Sequence, residues 1–287
     1  MAGDFSMKIL NGKELSGFVK ERQAKEVRSL QAQGLLPKLV IIRDSENPVI
    51  SKYVNLKIAY GEDIGIAVSD ILVENAEDAK KAIGQANSDS AVSGIIVQLP
   101  LKDTSLTDEV VSLIAPAKDV DGLSGSVIDL KFARGEEVEP SERPFDSATA
   151  TAINWLLSGY DIDLSDKKIA LVGRGRLVGA PLYRMFKNSG LDVTVFGHDA
   201  DLTVLRNYDV IISATGVAHL IKSEMVKSGA VLVDAGTASE GGKLVGDVAP
   251  EVLERKDLKA ITPAIGGVGP LTVAALFDNV IRAKKTA

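Results

Sequence analysis

Cysteine is absent from all 287 residues. That excludes a disulfide framework, a thiol nucleophile and any thiolate metal site. Histidine is scarce too: His198 and His219 are the only two, too few for a histidine-rich centre, and no metal is expected. Basic charge is in deficit. The net charge of −6 supplies no basic face of the kind nucleic acid requires. No run approaches the roughly 20 apolar residues that span a bilayer, so no membrane partner is expected. The opening MAGDFSMKIL lacks a basic stretch followed by an apolar core, and the expected compartment is cytoplasmic. What is present is ordinary globular material, 45% hydrophobic and 25% charged, at a length that suits two domains.

Short apolar runs alternate with longer amphipathic stretches. Residues 39–42, 66–72, 94–99, 169–172, 193–196, 210–214 and 230–233 are rich in Val and Ile with little polar alternation. Such runs read as buried strands of a parallel sheet covered on both faces. Helical patterns fall between them at 49–63, 76–87 and 179–189. Strand–helix repetition means an α/β fold. Residues 124–146, with Gly125, Gly135, Pro140 and Pro144, lack periodicity and read as a loop leading into a helix at 148–158. The expected domains are 1–146 and 147–269, with a last helix from about 270 onward.

The segment KKIALVGRGRLVGAPLYRMF places Gly173, Gly175 and Gly179 between a strand and a helix. It is a Rossmann-like turn with one residue added, G-x-G-x-x-x-G. Glycines there permit a tight turn and let backbone N–H groups approach a pyrophosphate at a helix N-terminus. Arg174 and Arg176 lie in the same turn, and His198 and Asp199 end the next strand. An acidic residue about 20 positions on suits a ribose hydroxyl. The same residues also fit an ordinary βα turn with a surface Asp. Ala214, Thr215 and Gly216, and then Thr237 in DAGT, end two further strands in small residues. Ligands bind at such carboxyl ends.

In the first half, Tyr53 and Lys57 lie four apart on one helix face, with Ser51 close by. Gln98 and Leu99 stand at the tip of GIIVQLPL, and Asp119 and Asp121 precede Gly122 in KDVDGL. A Tyr and a Lys beside a ligand can stack on a ring and move a proton, and a carboxylate on a turn can accept hydrogen bonds from a planar heterocycle. Taken singly, each also reads as surface or turn chemistry.

Seven segments in order, SKYVNLK, GIIVQLPL, PAKDVDG, GRGRLVGAP, GAVLVDAG, LVGDV and PAIGGVGPLT, resemble the bifunctional methylenetetrahydrofolate dehydrogenase/methenyltetrahydrofolate cyclohydrolase family. The resemblance covers nearly the whole chain. It implies two α/β domains flanking a cleft: a three-layer folate-binding catalytic domain, to which helix 270–287 returns, and a Rossmann-like NAD(P)-binding domain. It implies a homodimer. It also implies that Lys57 is catalytic, that Gln98 tunes it, that Tyr53 lies against the aminobenzoyl ring and that Asp121 binds the pterin. Ser51 and Leu99 join the substrate contacts. Gly266, Gly267, Val268, Gly269 and Pro270 form the loop that closes over the folate. Gly173, Arg174 and Gly179 match the dinucleotide loop.

Four departures stand out. Ser147-Ala148-Thr149-Ala150 keeps only the Thr of Pro-Cys-Thr-Pro, so Thr149 is the surviving cofactor contact. Gly175 replaces the usual Ser. Pro263-Ala264-Ile265-Gly266-Gly267 replaces Pro-Val-Pro-Gly-Gly. Leu123-Ser124-Gly125-Ser126 stands where a His-Pro-x-Asn stretch would follow the Asp-Gly turn. These bear on cofactor choice and cyclohydrolase efficiency. The expected function is oxidation of 5,10-methylenetetrahydrofolate with NADP or NAD, then hydrolysis to 10-formyltetrahydrofolate. Asp199 leans the cofactor toward NAD, because a carboxylate repels a 2′-phosphate; the arginines, and His198 if protonated, act the other way. Another nicotinamide dehydrogenase is disfavoured by DVDG and GGVGP. A binding protein without turnover is disfavoured by intact Lys57, Gln98 and Asp121.

Overall fold

The computed structural model describes residues 7–136, 144–240 and 243–286. The elements in chain order are β1 (Lys8–Ile9), α1 (Gly12–Ala32), β2 (Lys38–Arg43), α2 (Pro48–Ile64), β3 (Ala67–Leu72), α3 (Ala76–Ser88), β4 (Gly94–Val97), α4 (Thr107–Val111), α5 (Ser126–Ala133), α6 (Ala148–Gly159), β5 (Ile169–Val172), α7 (Gly179–Asn188), β6 (Val193–Phe196), β7 (Val210–Ser213), β8 (Val231–Asp234), β9 (Ala238–Glu240), β10 (Lys243–Val245), α8 (Pro250–Leu253), β11 (Ala260–Ile261) and α9 (Val268–Thr286). They form two compact units. Among the described residues, a three-strand unit holds 17–127, 144–148 and 273–286. A six-strand unit holds 7–16, 128–136, 149–240 and 243–272.

The three-strand sheet is parallel, in the order β3-β2-β4. Successive side chains of a strand point to opposite faces. Val40, Ile42, Ile95 and Val97 accordingly share one core with Ala79, Ile83 and Ala86 of α3. Leu39, Ile41 and Ile96 alternate with them and are also buried, so both faces of β2 and β4 are covered. Strand β3 departs from the expectation of a buried run: each of its residues is exposed or half-buried.

Helix α2 shows why its residues fold where they do. Asn47 caps it by accepting the Val49 N–H at 2.9 Å, Pro48 supplies the first-turn φ, and Gly65 ends it in the left-handed region at φ 81°. Gly61 is required for close packing, because a Cβ there would meet Val68 Cγ2 at 2.5 Å.

The six-strand sheet is parallel throughout, in the order β1-β11-β8-β7-β5-β6. Ala170, Val172, Ile211, Leu232 and Ile261 pack with Ile221, Val226 and Val252 in one core. The order steps from β7 to β5 to β6, and such reversals place ligands at the strands' carboxyl ends. Residues 7–16 and 128–136 cluster with this unit, the former because β1 completes its sheet by pairing with β11. Two further readings are corrected. The stretch 124–146 contains α5, which is held by an ion pair between Asp129 and Arg184 of α7, 2.8 Å, with the carboxylate fully buried. Pro140 of that stretch lies outside the described residues, and Pro144 precedes α6. The last helix begins at Val268, so Val268, Gly269 and Pro270 are its first turn rather than loop. Among the described residues no helix is long and apolar enough to cross a membrane.

Candidate active site

The buried residues of α2 are Ile50, Val54, Gly61 and Ile64. Their spacing of four, then seven, then three defines an apolar stripe, and Lys57 stands in its gap, seven after Ile50. A lysine in the packed stripe of a helix must give up water. Burial pushes the Lys57 amine below its ordinary value, with the charge of Asp121 acting in the opposite direction. Its Nζ donates to Gln98 Oε1 at 2.6 Å. Gln98 sits just past β4, where its N–H donates to Ile42 O at 2.8 Å and its Nε2 donates to Leu99 O at 3.0 Å. Because Nε2 is engaged there, Oε1 is the atom turned to the lysine. Tyr53 lies one helical turn before Lys57 and is half-buried, as is Ser51. The Leu99–Pro100 peptide is cis. Asp44 steadies the following loop by accepting the Lys102 N–H at 2.9 Å.

Asp121 is carried on the turn after Asp119. Burial pushes its carboxyl up to about 6; Lys57 pulls it down and Asp119 pushes it further up. Asp119 is itself buried and ties the turn. Its carboxylate accepts the Leu123 N–H at 3.1 Å, the Ser124 N–H at 2.8 Å and the Ser124 hydroxyl at 2.6 Å. The Ser124 departure therefore has a defined job in holding Asp119. Gly122 has φ 68°, and a Cβ there would meet Ser147 N at 2.8 Å, so only glycine fits. Asn279 of α9, buried, donates to Val120 O at 2.9 Å and to Asp146 O at 3.2 Å. Sequence reasoning missed Asn279, Asp44 and the structural work of Asp119. The one available signal was a polar residue in an otherwise apolar helix stripe.

The remaining candidates belong to the six-strand unit. Gly173 has φ 98°, and a Cβ on it would meet Ala214 O at 2.5 Å and Thr215 Cγ2 at 3.3 Å. A Cβ on Gly179 would meet Gly173 O at 2.1 Å. These two glycines let the β5–α7 turn fold tightly beside the end of β7. Gly175 has open space around it, so the substitution of the usual Ser costs the backbone nothing. Gly216, at φ 70°, lies with a hypothetical Cβ 3.4 Å from Thr237 O. The structure thus brings Gly173, Ala214, Thr215, Gly216 and Thr237 together at the strand ends. Thr149 is in the first turn of α6.

The Arg174 guanidinium packs on Gly197, whose Cβ would meet its Cζ at 3.1 Å. The next two residues, His198 and Asp199, pair through Nδ1 and Oδ1 at 2.9 Å with both side chains almost wholly exposed. Arg176 is half-buried in the same turn. Gly266, at φ 89°, accepts the Lys13 N–H at 2.9 Å, and Gly12 leaves room for Gly267 O, which a Cβ would meet at 1.9 Å. Gly266 and Gly267 are thus anchored on the start of α1.

This arrangement fits a two-part enzyme: a desolvated lysine with an amide and a carboxylate in one unit, and a glycine-lined strand-end site with two arginines and an Asp in the other. Comparison with known proteins agrees. Residues 10–121 match the tetrahydrofolate dehydrogenase/cyclohydrolase catalytic domain and residues 147–287 match the NAD(P)-binding domain of the same family. The Bifunctional protein FolD of Lactobacillus acidophilus is 37% identical, covering 96% of each chain. The crystal structure of the bifunctional FolD methylenetetrahydrofolate dehydrogenase/cyclohydrolase from Campylobacter jejuni superposes with a TM-score of 0.88 at 34% identity, covering 98% of this chain and 99% of that one. The Trypanosoma brucei methylenetetrahydrofolate dehydrogenase-cyclohydrolase, solved with NADP and an inhibitor, also gives 0.88, at 28% identity and 98% of each chain. The chain belongs to the tetrahydrofolate dehydrogenase/cyclohydrolase family.

Proposed function

We propose that Lys57, with Gln98, Tyr53 and Asp121, serves both reactions of the family in this chain. The chain is an NAD(P)-dependent methylenetetrahydrofolate dehydrogenase and methenyltetrahydrofolate cyclohydrolase. The observation that carries the assignment of residues is the 2.6 Å contact of Lys57 Nζ with Gln98 Oε1, in a lysine whose ordinary charge burial disfavours.

The dinucleotide, when bound, supplies nicotinamide C4 as the acceptor of a hydride from the folate methylene carbon. Gly173, Arg174, Gly175, Arg176 and Gly179 hold its pyrophosphate; the tight turn, the open side of Gly175 and the guanidinium of Arg174 fit that group. Thr149, Ala214, Thr215, Gly216 and Thr237 take the nicotinamide end, and His198 and Asp199 the adenosine ribose. In the second reaction a water oxygen bonds to the methenyl carbon and its proton passes to Lys57 in its uncharged form, toward which burial shifts the amine and which Gln98 holds in place. That proton then goes to the ring nitrogen as the nitrogen–carbon bond breaks, and the remaining hydroxyl proton leaves to solvent as the C=O of the formyl group forms. Asp121 accepts hydrogen bonds from the pterin, Tyr53 lies against the aminobenzoyl ring, and Ser51, Leu99 and residues 266–270 complete the folate contacts.

NAD is used at least as well as NADP. The support is Asp199, whose almost wholly exposed carboxylate is free of any arginine contact among the described residues. It accepts from ribose hydroxyls and repels a 2′-phosphate. The reading includes a cytoplasmic homodimer. The test is the purified protein with methylenetetrahydrofolate and each dinucleotide, followed by absorbance, with kcat/KM compared. Absence of both reduction and methenyl hydrolysis overturns the assignment, and a tenfold or greater preference for NADP overturns the cofactor choice.

A further inference from the structure

Two aspartates outside the candidate set stand behind the strand-end site. Asp247 is fully buried. Its Oδ2 accepts three hydrogen bonds: from Ser213 Oγ at 2.6 Å, from the Thr215 N–H at 2.7 Å and from Thr215 Oγ1 at 2.9 Å. Its Oδ1 is buried and has no hydrogen-bond partner. Asp234, at the end of β8, accepts Asp247's own N–H at 3.1 Å, the Gly236 N–H at 3.0 Å and the Val248 N–H at 2.9 Å. Two glycines make room for the pair. A Cβ on Gly236 would stand 1.9 Å from Asp247 Oδ1, and one on Gly246 would stand 2.0 Å from Asp234 Oδ2. The ends of β7 and β8 and the stretch 246–248 are thereby interlocked.

A buried acidic group with one idle oxygen is costly to keep. Packing alone does not call for it, since an apolar residue would fill the space at lower cost. What the carboxylate does is set the turn after β7. Thr215 gives both its N–H and its hydroxyl proton to Asp247, and Thr215 Oγ1 then accepts the Val217 N–H at 3.1 Å. The Thr215 hydroxyl is thus spent inside the protein. It shapes the site rather than donating to a ligand. We propose that Asp247 is a positioning residue for the nicotinamide end of the dinucleotide site, fixing the Thr215–Val217 turn through Thr215. An amide cannot replace it. If Asn turned its oxygen to the three donors, its NH2 would press on Gly236 with no acceptor. If it turned the NH2 to them, donors would face donors.

The inference rests on the functional reading above, and the two reactions separate it from a loss of folding. Only the first reaction consumes dinucleotide. In Asp247→Asn the KM for dinucleotide should rise at least tenfold, with a smaller change in kcat, and the ratio of dehydrogenase to cyclohydrolase activity should fall at least tenfold. Gly236→Ala, whose new methyl displaces Oδ1, should reproduce the shift. Thr215→Val keeps the shape, deletes the hydroxyl, and carries the same test should Asp247→Asn fail to fold. Equal loss of both activities in Thr215→Val and Gly236→Ala would mean a merely structural role and overturn the inference, as would an unchanged KM. A wild-type protein that hydrolyses methenyltetrahydrofolate but reduces neither dinucleotide would overturn the dehydrogenase reading itself, and this inference with it.

Discussion

Replacing Asp121 with Asn should make the protein more stable at pH 8 and worse at binding folate. The Asp121 carboxyl is raised from an ordinary 3.8 to about 6, chiefly by burial. A carboxyl whose folded pKa exceeds its unfolded one binds more protons folded than unfolded between about pH 4 and pH 6. Stability therefore falls as pH rises through that window and stays lower above it. Two units at about 1.4 kcal/mol each would be about 3 kcal/mol. The residue is only half-buried by surface, and its attraction to Lys57 is lost in the variant, so the net gain should be nearer ~1 kcal/mol. Urea unfolding midpoints of both proteins at pH 4 and pH 8 read this directly. The gain should be present at pH 8 and shrink toward pH 4. Folate-analogue affinity at pH 8 should fall tenfold or more, about 1.4 kcal/mol, while dinucleotide affinity holds. A variant less stable at pH 8, or a difference independent of pH, would refute the claim that Asp121 is an anion held against a desolvation cost.

Three further outcomes are expected. Lys57→Met should abolish methenyltetrahydrofolate hydrolysis while a folate analogue still binds; undiminished hydrolysis would take Lys57 out of the mechanism. Gly179→Ala should weaken dinucleotide binding tenfold or more and cost about 1–3 kcal/mol, because its Cβ meets a backbone oxygen at 2.1 Å, whereas Gly175→Ala should leave stability unchanged because nothing lies within 4 Å; equal unfolding midpoints for the two variants would sink the close-packing argument. Asp199→Ser should shift kcat/KM toward NADP and Arg174→Ala should shift it toward NAD, since one removes a repelling charge and the other an attracting one; no movement in either would place the 2′-phosphate elsewhere.

The parallel strands were legible because burial on both faces forces continuous runs of Val and Ile. Core strands β2, β4, β5, β7 and β8 fall within a residue or two of the runs that signalled them. The weak points have physical causes. The two-residue strands β1 and β11 are too short to carry any pattern, yet their pairing sends residues 8–9 to the six-strand sheet. Helix α5 hid because the partner of its buried Asp129 is Arg184 of α7, which is not adjacent in sequence. Val268, Gly269 and Pro270 read as a turn because they continue the run Gly266-Gly267, but a Pro in the first turn of a helix is well tolerated, its missing N–H being unneeded there.

Site residues divide the same way. Lys57 was visible through its spacing from Tyr53, and the stripe Ile50, Val54, Gly61 and Ile64 explains why that lysine is half-buried when Lys52, the other lysine of the helix, is exposed. Charge in an apolar stripe is a local pattern, so it survives in one dimension. The tuning of Asp121 does not. It depends on burial, on the charge of Lys57 from α2 and on Asp119, in a turn that Asn279, more than 150 positions away, ties by holding the Val120 carbonyl. Asp247 is the extreme case. It sits inside LVGDV, a segment that marks the family, yet nothing in those letters says that its carboxylate serves a threonine 32 residues earlier or that Gly236 is a glycine on its account. Residues that touch ligand tend to repeat a recognisable local chemistry. Residues that shape the backbone behind the ligand act through partners chosen by the fold, and only the fold reveals them.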